Sequence, residues 1–449
     1  MKFTFPKNFL FGLASSAVQI ESATTVNGKG EDSWQHFCIA NPEKYGHSNL
    51  ENGADFYHRY KEDIKLMKEL GLRAFRFSIS WSRIYPNGPD YICKEAIQHY
   101  HDLFDELIKN DIVPFIDLYH CDLPYWIVEK GGTRIPEFID WFVEYARTCF
   151  TEYGDKIPYW STVNEPQCNI MAPYAWGIPP YFEKNVAYHL QASHNMVIAH
   201  FKIVKLYREM GFKGKIGFVN HFQLAYGDTL DPKDQDAAER DMSFYSNWWP
   251  DAIFLGHYPE NLMEYPYIRD NMPKDYQKDL DENFIKSDFV GVNYYGAYYV
   301  KHVEDDKMNY EVIYSKGNDI DDYGFSVNPQ GMLDTLMYVH ERYPDIELVI
   351  SENGLGKKKW GNYEEELNDD FRIDYMREHL RGVSRAIKIG LPVTGYYHWT
   401  FLDTSEGITN GFSIMFGLVQ IRFDREDKTR IPRKSFHYYK RVIEQNEVE

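Results

Sequence analysis

Two glutamates stand where short apolar runs of the chain stop. Glu352 follows the run 349–351 and precedes Asn353-Gly354, a pair typical of turns. Glu165 follows the run 159–164 and precedes Pro166, which cannot continue a strand inside a sheet. Two carboxyl groups at strand ends can serve as nucleophile and general acid/base on a glycosidic bond if they face each other. Paired-carboxylate chemistry is therefore the first hypothesis, and two solvated charges at the ends of strands are the alternative.

Alternating strand-like and helix-like patterns surround these glutamates. Apolar, β-branched or aromatic runs recur eight times, with segments of 3.6-residue periodicity between them. The predicted strands are Phe9–Ala14, Ala74–Ile79, Val113–Leu118, Tyr159–Val163, Lys215–Val219, Phe289–Tyr294, Glu347–Ile350 and Val393–His398. This alternation predicts an α/β fold, a parallel sheet closed into a (β/α)8 TIM barrel. Because no Gly/Ser-rich or Pro-rich linker divides the chain, we expect one domain over residues 1–449.

Polar and aromatic side chains cluster at the predicted carboxyl ends of the strands, which form the functional rim of such a barrel. Besides the two glutamates they are Gln19, Arg76, His120, Asn164, Asn293, Tyr295, Trp399 and Glu406. Together these groups supply donors and acceptors, as sugar hydroxyls require. A lone His or Trp at such a position is more often structural, so the prediction of a polyhydroxylated ligand rests on the convergence of all of them.

Composition excludes several classes of protein. The formal net charge of −19 disfavours nucleic-acid and anionic-membrane partners, which need basic patches. The N-terminus lacks the apolar core of a signal peptide, and no apolar run reaches ~18 residues. The five cysteines are scattered without metal-binding spacing, which favours reduced thiols in a cytoplasmic protein. No zinc-binding spacing and no Gly-rich phosphate loop appears, so no motif calls for a metal or an organic cofactor. The charge fits a small neutral substrate, and assembly into a homo-oligomer is left open.

Ordered motifs along most of the chain point to one family. They are Phe9-Leu10-Phe11-Gly12 with Gln19-Ile20-Glu21; Arg76 to Ile84; Leu118-Tyr119-His120 with Asp122-Leu123-Pro124; Asn164-Glu165-Pro166; Gly291 to Tyr295; Ser351-Glu352-Asn353-Gly354; and Trp399 with Leu402-Asp403. From about residue 3 to residue 440 the chain resembles glycoside hydrolase family one, the retaining β-glucosidase family. The resemblance implies an exo-acting β-glycosidase, most simply a β-glucosidase, that removes terminal β-linked sugars from small β-glycosides or short oligosaccharides.

The resemblance also implies roles for the residues at the rim. Glu352 matches the nucleophile and Glu165 the acid/base. Arg76, Asn293 and Tyr295 match the groups that support the nucleophile. The residues that match the grip on the non-reducing sugar are Gln19, His120, Asn164, Trp399 and Glu406. A retaining mechanism predicts a separation of roughly 5–5.5 Å between the two carboxyl groups.

One segment departs from the family pattern. A Trp usually follows the Glu that stands here at position 406, and this chain has Gly407 instead. Loss of the indole predicts a wider pocket, unless another aromatic residue such as Phe412 fills the space. The aromatic residue that often borders the leaving-group site corresponds to Phe325.

Two other functions are weighed against a β-glucosidase. The 6-phospho-β-glycosidases of the family carry Ser, Lys and Tyr where this chain has Glu406, Ile414 and Phe416. A carboxylate would repel a dianionic phosphate, which favours neutral sugars. A glycosidase with an unusual glycone remains open because of Gly407. A non-catalytic sugar-binding barrel is disfavoured because both glutamates are present.

Overall fold

Eight parallel strands form a closed barrel. The computed structural model describes residues 2–46, 49–179, 183–305, 307–314, 319–359 and 361–449, with residues 408 and 409 described by their backbone alone. The barrel strands are β1 Leu10–Ala14, β2 Ala74–Ser78, β3 Val113–Tyr119, β4 Tyr159–Asn164, β5 Lys215–His221, β6 Phe289–Asn293, β7 Glu347–Asn353 and β8 Val393–Trp399. They follow one another around the barrel in chain order, and β8 pairs with β1. The predicted (β/α)8 barrel and all eight predicted strands are confirmed.

Helices cover the outside of the barrel. The principal helices after successive strands are Phe56–Leu70, Lys94–Lys109, Glu137–Tyr153, Val186–Glu209, Pro232–Tyr245, Pro329–Arg342, Asp370–Lys388 and Lys434–Gln445. Each buries an apolar stripe against the strands and neighbouring helices. A separate cluster that includes Phe115, Phe289 and Tyr397 fills the barrel interior below the rim. The barrel is therefore a packed core, and a ligand can enter only at its end.

The connection from β5 to β6 is longer than the others and carries structure that the sequence patterns did not predict. Its strand Leu224–Gly227 joins two strands of the next connection, Ala297–His302 and Tyr310–Ile313, in a small separate sheet beside the rim. Helix Pro232–Tyr245 packs against this sheet, and helices Trp248–Phe254 and Tyr276–Asn283 complete the connection. A π-helix, Gln167–Trp176, follows β4 directly after the first glutamate. These segments build one side of the pocket above the barrel.

A buried ion pair ties the last helix to the loop after β8. The Arg433 guanidinium donates from both terminal nitrogens to the Asp403 carboxylate, at 2.8 and 2.7 Å. It also donates to the carbonyl oxygens of Gly417 and Glu366. Neither side chain is more than 2% exposed. Because the loop also carries Glu406, this pair helps to fix that carboxylate at the rim.

Removal of the cation should destabilise the fold. We expect Arg433→Ala to lower the free energy of unfolding by about 3–5 kcal/mol, because Asp403 would stay buried without its partner. Urea denaturation measures the change. Arg441→Ala, at an exposed position of helix Lys434–Gln445, is the matched control, with an expected change within about 0.5 kcal/mol. Equal losses in the two variants would contradict this role of the ion pair.

Candidate active site

Seven of the ten predicted site residues form one hydrogen-bonded group at the carboxyl end of the barrel. They are Arg76, His120, Asn164, Glu165, Asn293, Tyr295 and Glu352. Trp399 stacks beside this group on His120, and Gln19 contacts the loop that carries Glu406. All ten residues are buried. The barrel brings them together because neighbouring parallel strands end at the same rim.

Glu352 sits at the carboxyl end of β7 and is held by two donors. The Arg76 guanidinium donates to its Oε1 at 2.7 Å, and the Tyr295 hydroxyl donates to its Oε2 at 2.7 Å. A register shift between Ile350 and Glu352 marks the point where β7 leaves regular pairing with β6. Both carboxylate oxygens are therefore fixed in direction, and a charged donor contacts one of them.

Arg76 is fully buried and contacts three strands besides its own. Its Nη2 lies 2.7 Å from Asp117 Oδ2 on β3 and donates to Asn164 Oδ1 on β4 at 2.6 Å. Nη1 reaches the Ser351 carbonyl oxygen and the Glu352 carboxylate on β7. A buried guanidinium needs such partners, because an unpaired buried cation is very costly. Sequence reasoning missed Asp117, although an acidic residue inside the apolar run of β3 was a usable signal.

Glu165 has a strained backbone that turns its carboxyl group into the pocket. Its φ is +43°, in the left-handed region that residues with a side chain rarely adopt. The Asn293 amide donates to Oε1 at 2.7 Å, and the Cys168 thiol donates to Oε2 at 3.0 Å. Both donors are neutral. The surroundings of the two glutamates therefore differ in the type of donor that each receives.

The expected role of Asn293 requires a correction. The resemblance assigned Asn293 to the support of Glu352, but its side-chain amide donates to Glu165 and to Asn164 Oδ1. Its own oxygen accepts from Ser351. The reason is geometric: β6 lies between β7 and β5, and the Asn293 side chain points across the rim toward the end of β4. Asn293 thus positions Glu165, while Arg76 and Tyr295 hold Glu352.

The two carboxyl groups influence each other's ionisation. Burial raises the pKa of Glu352; the Arg76 cation opposes that rise and the charge of Glu165 adds to it. The pKa of Glu165 is lowered from its usual value: burial opposes its ionisation, whereas the charge of His221 and the hydrogen bonds from Asn293 and Cys168 favour it. Burial lowers the pKa of His221 itself, so this imidazole is uncharged near neutral pH. Glu352 therefore has a permanent cation beside it, whereas Glu165 receives its hydrogen bonds from neutral donors.

The remaining predicted residues line the pocket above Glu352. The rings of His120 and Trp399 are nearly parallel, with an interplanar angle of 11° and 5.8 Å between their centroids. Gln19 donates to the Ser405 carbonyl oxygen at 2.7 Å. Glu406 is 5% exposed, and its Oε1 has no hydrogen-bond partner among the residues that the structure describes. A buried acceptor that lacks a donor is suited to bind the hydroxyl of a ligand.

The wall near Gly407 differs from the sequence-based alternative. A Cβ at Gly407 would lie 3.9 Å from the Trp34 ring and 3.9 Å from the Tyr323 hydroxyl. Phe412 instead packs on Phe423, with 5.0 Å between ring centroids. Two aromatic residues from other loops therefore border the space, and Phe412 does not fill it. No local sequence signal identified Trp34 or Tyr323, because each is distant from Gly407 along the chain.

Phe325 packs against the phenol that holds Glu352. Its ring stacks on Tyr295 with 4.9 Å between centroids. An aromatic cavity of about 310 Å³ opens on the far side of Phe325 and includes Trp176 and Tyr245 in its lining. This volume lies at the lower end of the range typical of ligand pockets. The site thus has two parts: a polar pocket at the carboxyl groups and an aromatic cavity beside it.

The described residues form neither a metal-binding cluster nor a membrane-spanning helix. Across the described parts of the chain, no group of three or more His, Cys, Asp or Glu side chains is arranged to hold a metal ion. None of the helices that the structure describes has the length and apolar character to cross a membrane.

Comparisons with known proteins identify one family and one fold. The model of glycosyl hydrolase family 1 matches residues 1–448. The chain is 35% identical to beta-glucosidase A of Acetivibrio thermocellus, over 99% of both chains. It is 33% identical to the 6-phospho-beta-glucosidase GmuD of Bacillus subtilis strain 168, over 99% of this chain and 98% of that one. A Thermotoga maritima beta-glucosidase solved in complex with deoxynojirimycin superposes with a TM-score of 0.95 at 32% identity, with 100% of each chain covered.

Proposed function

The chain belongs to glycosyl hydrolase family 1, and we propose that it is a β-glucosidase that removes terminal β-linked glucose by a retaining mechanism. The observation that carries this proposal is the unlike environment of two carboxyl groups at one rim. A buried cation and a phenol contact Glu352, whereas neutral donors contact Glu165. One group is thereby suited to be an anionic nucleophile and the other a proton donor.

In the first step, the Glu352 carboxylate attacks the anomeric carbon of the bound sugar. A C–O bond forms to Glu352 as the bond to the leaving oxygen breaks, and Glu165 gives its proton to that oxygen. The Tyr295 hydroxyl and Arg76 hold the attacking carboxylate in place. The product of this step is a covalent glycosyl-Glu352 ester and the free aglycone.

In the second step, water hydrolyses this ester. The charge on Glu352 is now lost, so repulsion from that anion no longer raises the pKa of Glu165. Glu165 therefore stays ionised more easily and acts as the base. It takes a proton from water while the water oxygen attacks the anomeric carbon. Glu352 leaves as a carboxylate beside Arg76, Glu165 is protonated again, and the sugar retains its β configuration.

A neutral glycone fits the polar pocket better than a phosphorylated one. We assign the grip on the sugar to Gln19, His120, Asn164, Trp399 and Glu406. Burial raises the pKa of Glu406, and the negative charges of Glu352 and Asp403 add to the effect. A phosphate dianion would bring further negative charge into this region. Ile414 and Phe416, also buried, belong to an apolar cluster and supply no cation.

Two further aspects of the protein belong to the proposal. We place it in the cytoplasm as one domain over residues 1–449, and no disulfide joins any of the five cysteines that the structure describes. A non-catalytic sugar-binding barrel is the alternative from another class. Both carboxyl groups and their donors are present, so this alternative lacks a structural observation in its favour.

Separate removal of the two carboxyl groups tests the assigned roles. On a nitrophenyl β-glucoside, we expect Glu352→Ala to lose about 10⁴-fold or more of kcat and Glu165→Ala about 10²–10⁴-fold. With a dinitrophenyl leaving group, which needs no proton, Glu165→Ala should still release a burst of phenol, whereas Glu352→Ala should not. Glu347→Ala, at the opposite end of β7, is the matched control and should keep its activity. The same loss in both variants on the activated substrate would refute the roles.

The phenol that holds Glu352 should affect the pH profile. The Tyr295 hydroxyl stabilises the ionised carboxylate and so lowers its pKa. Tyr295→Phe should therefore raise the pKa of Glu352 and move the acid limb of kcat/KM to higher pH, with a fall of about 10–100-fold at the optimum. Tyr294→Phe, which removes a hydroxyl bonded to the Asn328 carbonyl oxygen, is the control. An acid limb that stays in place in Tyr295→Phe would contradict the contact's role.

A substrate pair separates the neutral-sugar function from the phosphorylated one. We expect kcat/KM for 4-nitrophenyl β-glucoside to exceed that for its 6-phosphate by at least about tenfold. The reason is that the negative charges near Glu406 would repel the phosphate dianion. Spectroscopic release of nitrophenol measures both, with Glu352→Ala as the inactive control. Preference for the 6-phosphate would instead favour a 6-phospho-β-glucosidase, the activity that the name of the Bacillus subtilis relative gives.

A further inference from the structure

The aromatic cavity beside the active site, here called the side chamber, contains a buried carboxyl group that the proposed reaction does not use. The chamber is bounded by Trp176, Tyr245, Tyr310, Tyr314 and Phe325, with Asp241 among its lining residues. Asp241 lies on helix Pro232–Tyr245, and its side chain is almost entirely buried. The inference that follows concerns what this chamber binds, and it rests on the proposed glycosidase activity.

The side chamber lies on the side of the acid/base, where the leaving group must depart. Phe325 stacks on Tyr295, which donates to Glu352. The Tyr245 hydroxyl is hydrogen-bonded to His221 Nδ1 at 2.7 Å, and the His221 ring packs edge-on against Tyr295. His221 also lies close enough to Glu165 to affect its ionisation. A single layer of side chains therefore separates the chamber from the two catalytic carboxyl groups.

Flat aromatic surfaces dominate the chamber. Trp176 and Tyr245 stack with 6.0 Å between ring centroids and an interplanar angle of 10°. Trp176 is 45% exposed and Tyr314 is 62% exposed, so both present open ring surface. Such surfaces stack on an aromatic ligand, and their faces also attract cations. The shape and lining of the chamber therefore favour a planar aromatic aglycone.

Among the residues that the structure describes, Asp241 has phenolic hydrogen-bond partners and no cationic one. The Tyr298 hydroxyl donates to its Oδ2, and Tyr310 supplies a second phenolic hydrogen bond. Within the described residues, no Lys, Arg or His forms an ion pair with it. The adjacent Arg240 points away and donates to the Met308 and Asn309 carbonyl oxygens. A buried carboxylate served by neutral donors alone is costly, and a bound cation would relieve that cost.

Burial gives Asp241 a pKa of about 7, so its charge varies in the physiological range. The titratable groups that face it are the phenols of Tyr245, Tyr298, Tyr310 and Tyr314, and burial raises the pKa of each, so all stay neutral. Lys184 and Lys307 line a second cavity beyond Tyr310, but both are exposed and their charges are screened by solvent. Asp241 thus sets the sign of charge inside the chamber.

We propose that the side chamber receives an aromatic aglycone that bears a protonated amine, with the amine at Asp241 and the ring between the aromatic walls. The natural substrates are then β-glucosides of phenols that carry an aliphatic amine. Neutral aryl glucosides enter the same chamber but leave the carboxylate of Asp241 without its counter-charge. The overall charge of −19 also favours the approach of a cationic substrate.

A matched pair of substrates tests this proposal on the wild-type enzyme. The pair is 4-(2-aminoethyl)phenyl β-glucoside and 4-propylphenyl β-glucoside, which are similar in size and have phenol leaving groups of similar acidity. We expect kcat/KM to be roughly tenfold higher for the amine at about pH 8, because Asp241 is then ionised. The ratio should approach one at about pH 5.5, where Asp241 binds a proton while the amine stays charged.

Two variants identify the source of the preference. Asp241→Asn should remove the preference for the amine while the neutral substrate keeps its kcat/KM within about twofold, since the amide keeps the shape but not the charge. Tyr314→Leu, at an exposed position that folding tolerates, should reduce the preference by removing a ring face. A ratio near one at both pH values in the wild type would overturn the proposal, as would a full preference in a folded Asp241→Asn.

The same assays distinguish failure of the inference from failure of the proposed function. If 4-nitrophenyl β-glucoside is cleaved and the amine and propyl substrates react equally, the glycosidase activity stands and the inference about the side chamber is wrong. If none of the three glucosides is cleaved, the proposed function fails and the inference fails with it.

Discussion

The site depends on one buried cation. Arg76 is fully buried at the carboxyl end of the barrel, where it must find partners or cost the fold several kcal/mol. Its partners come from β3, β4 and β7: Asp117, Asn164, and Glu352 with the Ser351 carbonyl oxygen. The same contacts that satisfy the guanidinium therefore fix the positions of groups that a glycosidase needs. Stability of the barrel rim and order in the active site are here one set of interactions.

The two carboxyl groups differ because the chain positions them by different means. Glu352 lies within β7, just past a register shift, and gains its charge preference from Arg76 and Tyr295. Glu165 lies one residue past β4 in a left-handed conformation, with Pro166 and the π-helix directly after it. Backbone strain of this kind persists only where surrounding contacts enforce it, and it is concentrated at functional sites. The strain places the carboxyl group near neutral donors, where it can hold a proton.

Specificity is built outside the barrel strands. The Arg433–Asp403 ion pair fixes the loop that carries Glu406. Trp34 and Tyr323 approach Gly407 from two other loops. The side chamber combines the π-helix, helix Pro232–Tyr245 and the small sheet beside the rim. Segments between strands can change without disturbing the barrel, so substrate choice can vary while the catalytic carboxyl groups stay in place.

The sequence by itself determined the barrel and the identity of its principal site residues. Eight apolar runs separated by helical periodicity predict the strands because buried parallel strands and amphipathic helices have distinct patterns. Glu165 and Glu352 were found because each follows an apolar run and precedes a residue pair that ends it. Their places at the predicted strand ends identified the other residues of the rim, the family resemblance assigned their roles, and the structure gathers all of them there.

Tertiary structure alone decided which side chains touch. Asn293 contacts Glu165 because its side chain crosses the rim toward β4, a direction that its place in the motif does not reveal. Asp117, Cys168 and Trp34 were missed because their roles depend on contacts with residues far along the chain or on a local turn. The environment of Asp241 depends on rings from several segments. Local periodicity reports burial and element type, whereas contacts between distant loops and the ionisation of buried groups arise only from the packed fold.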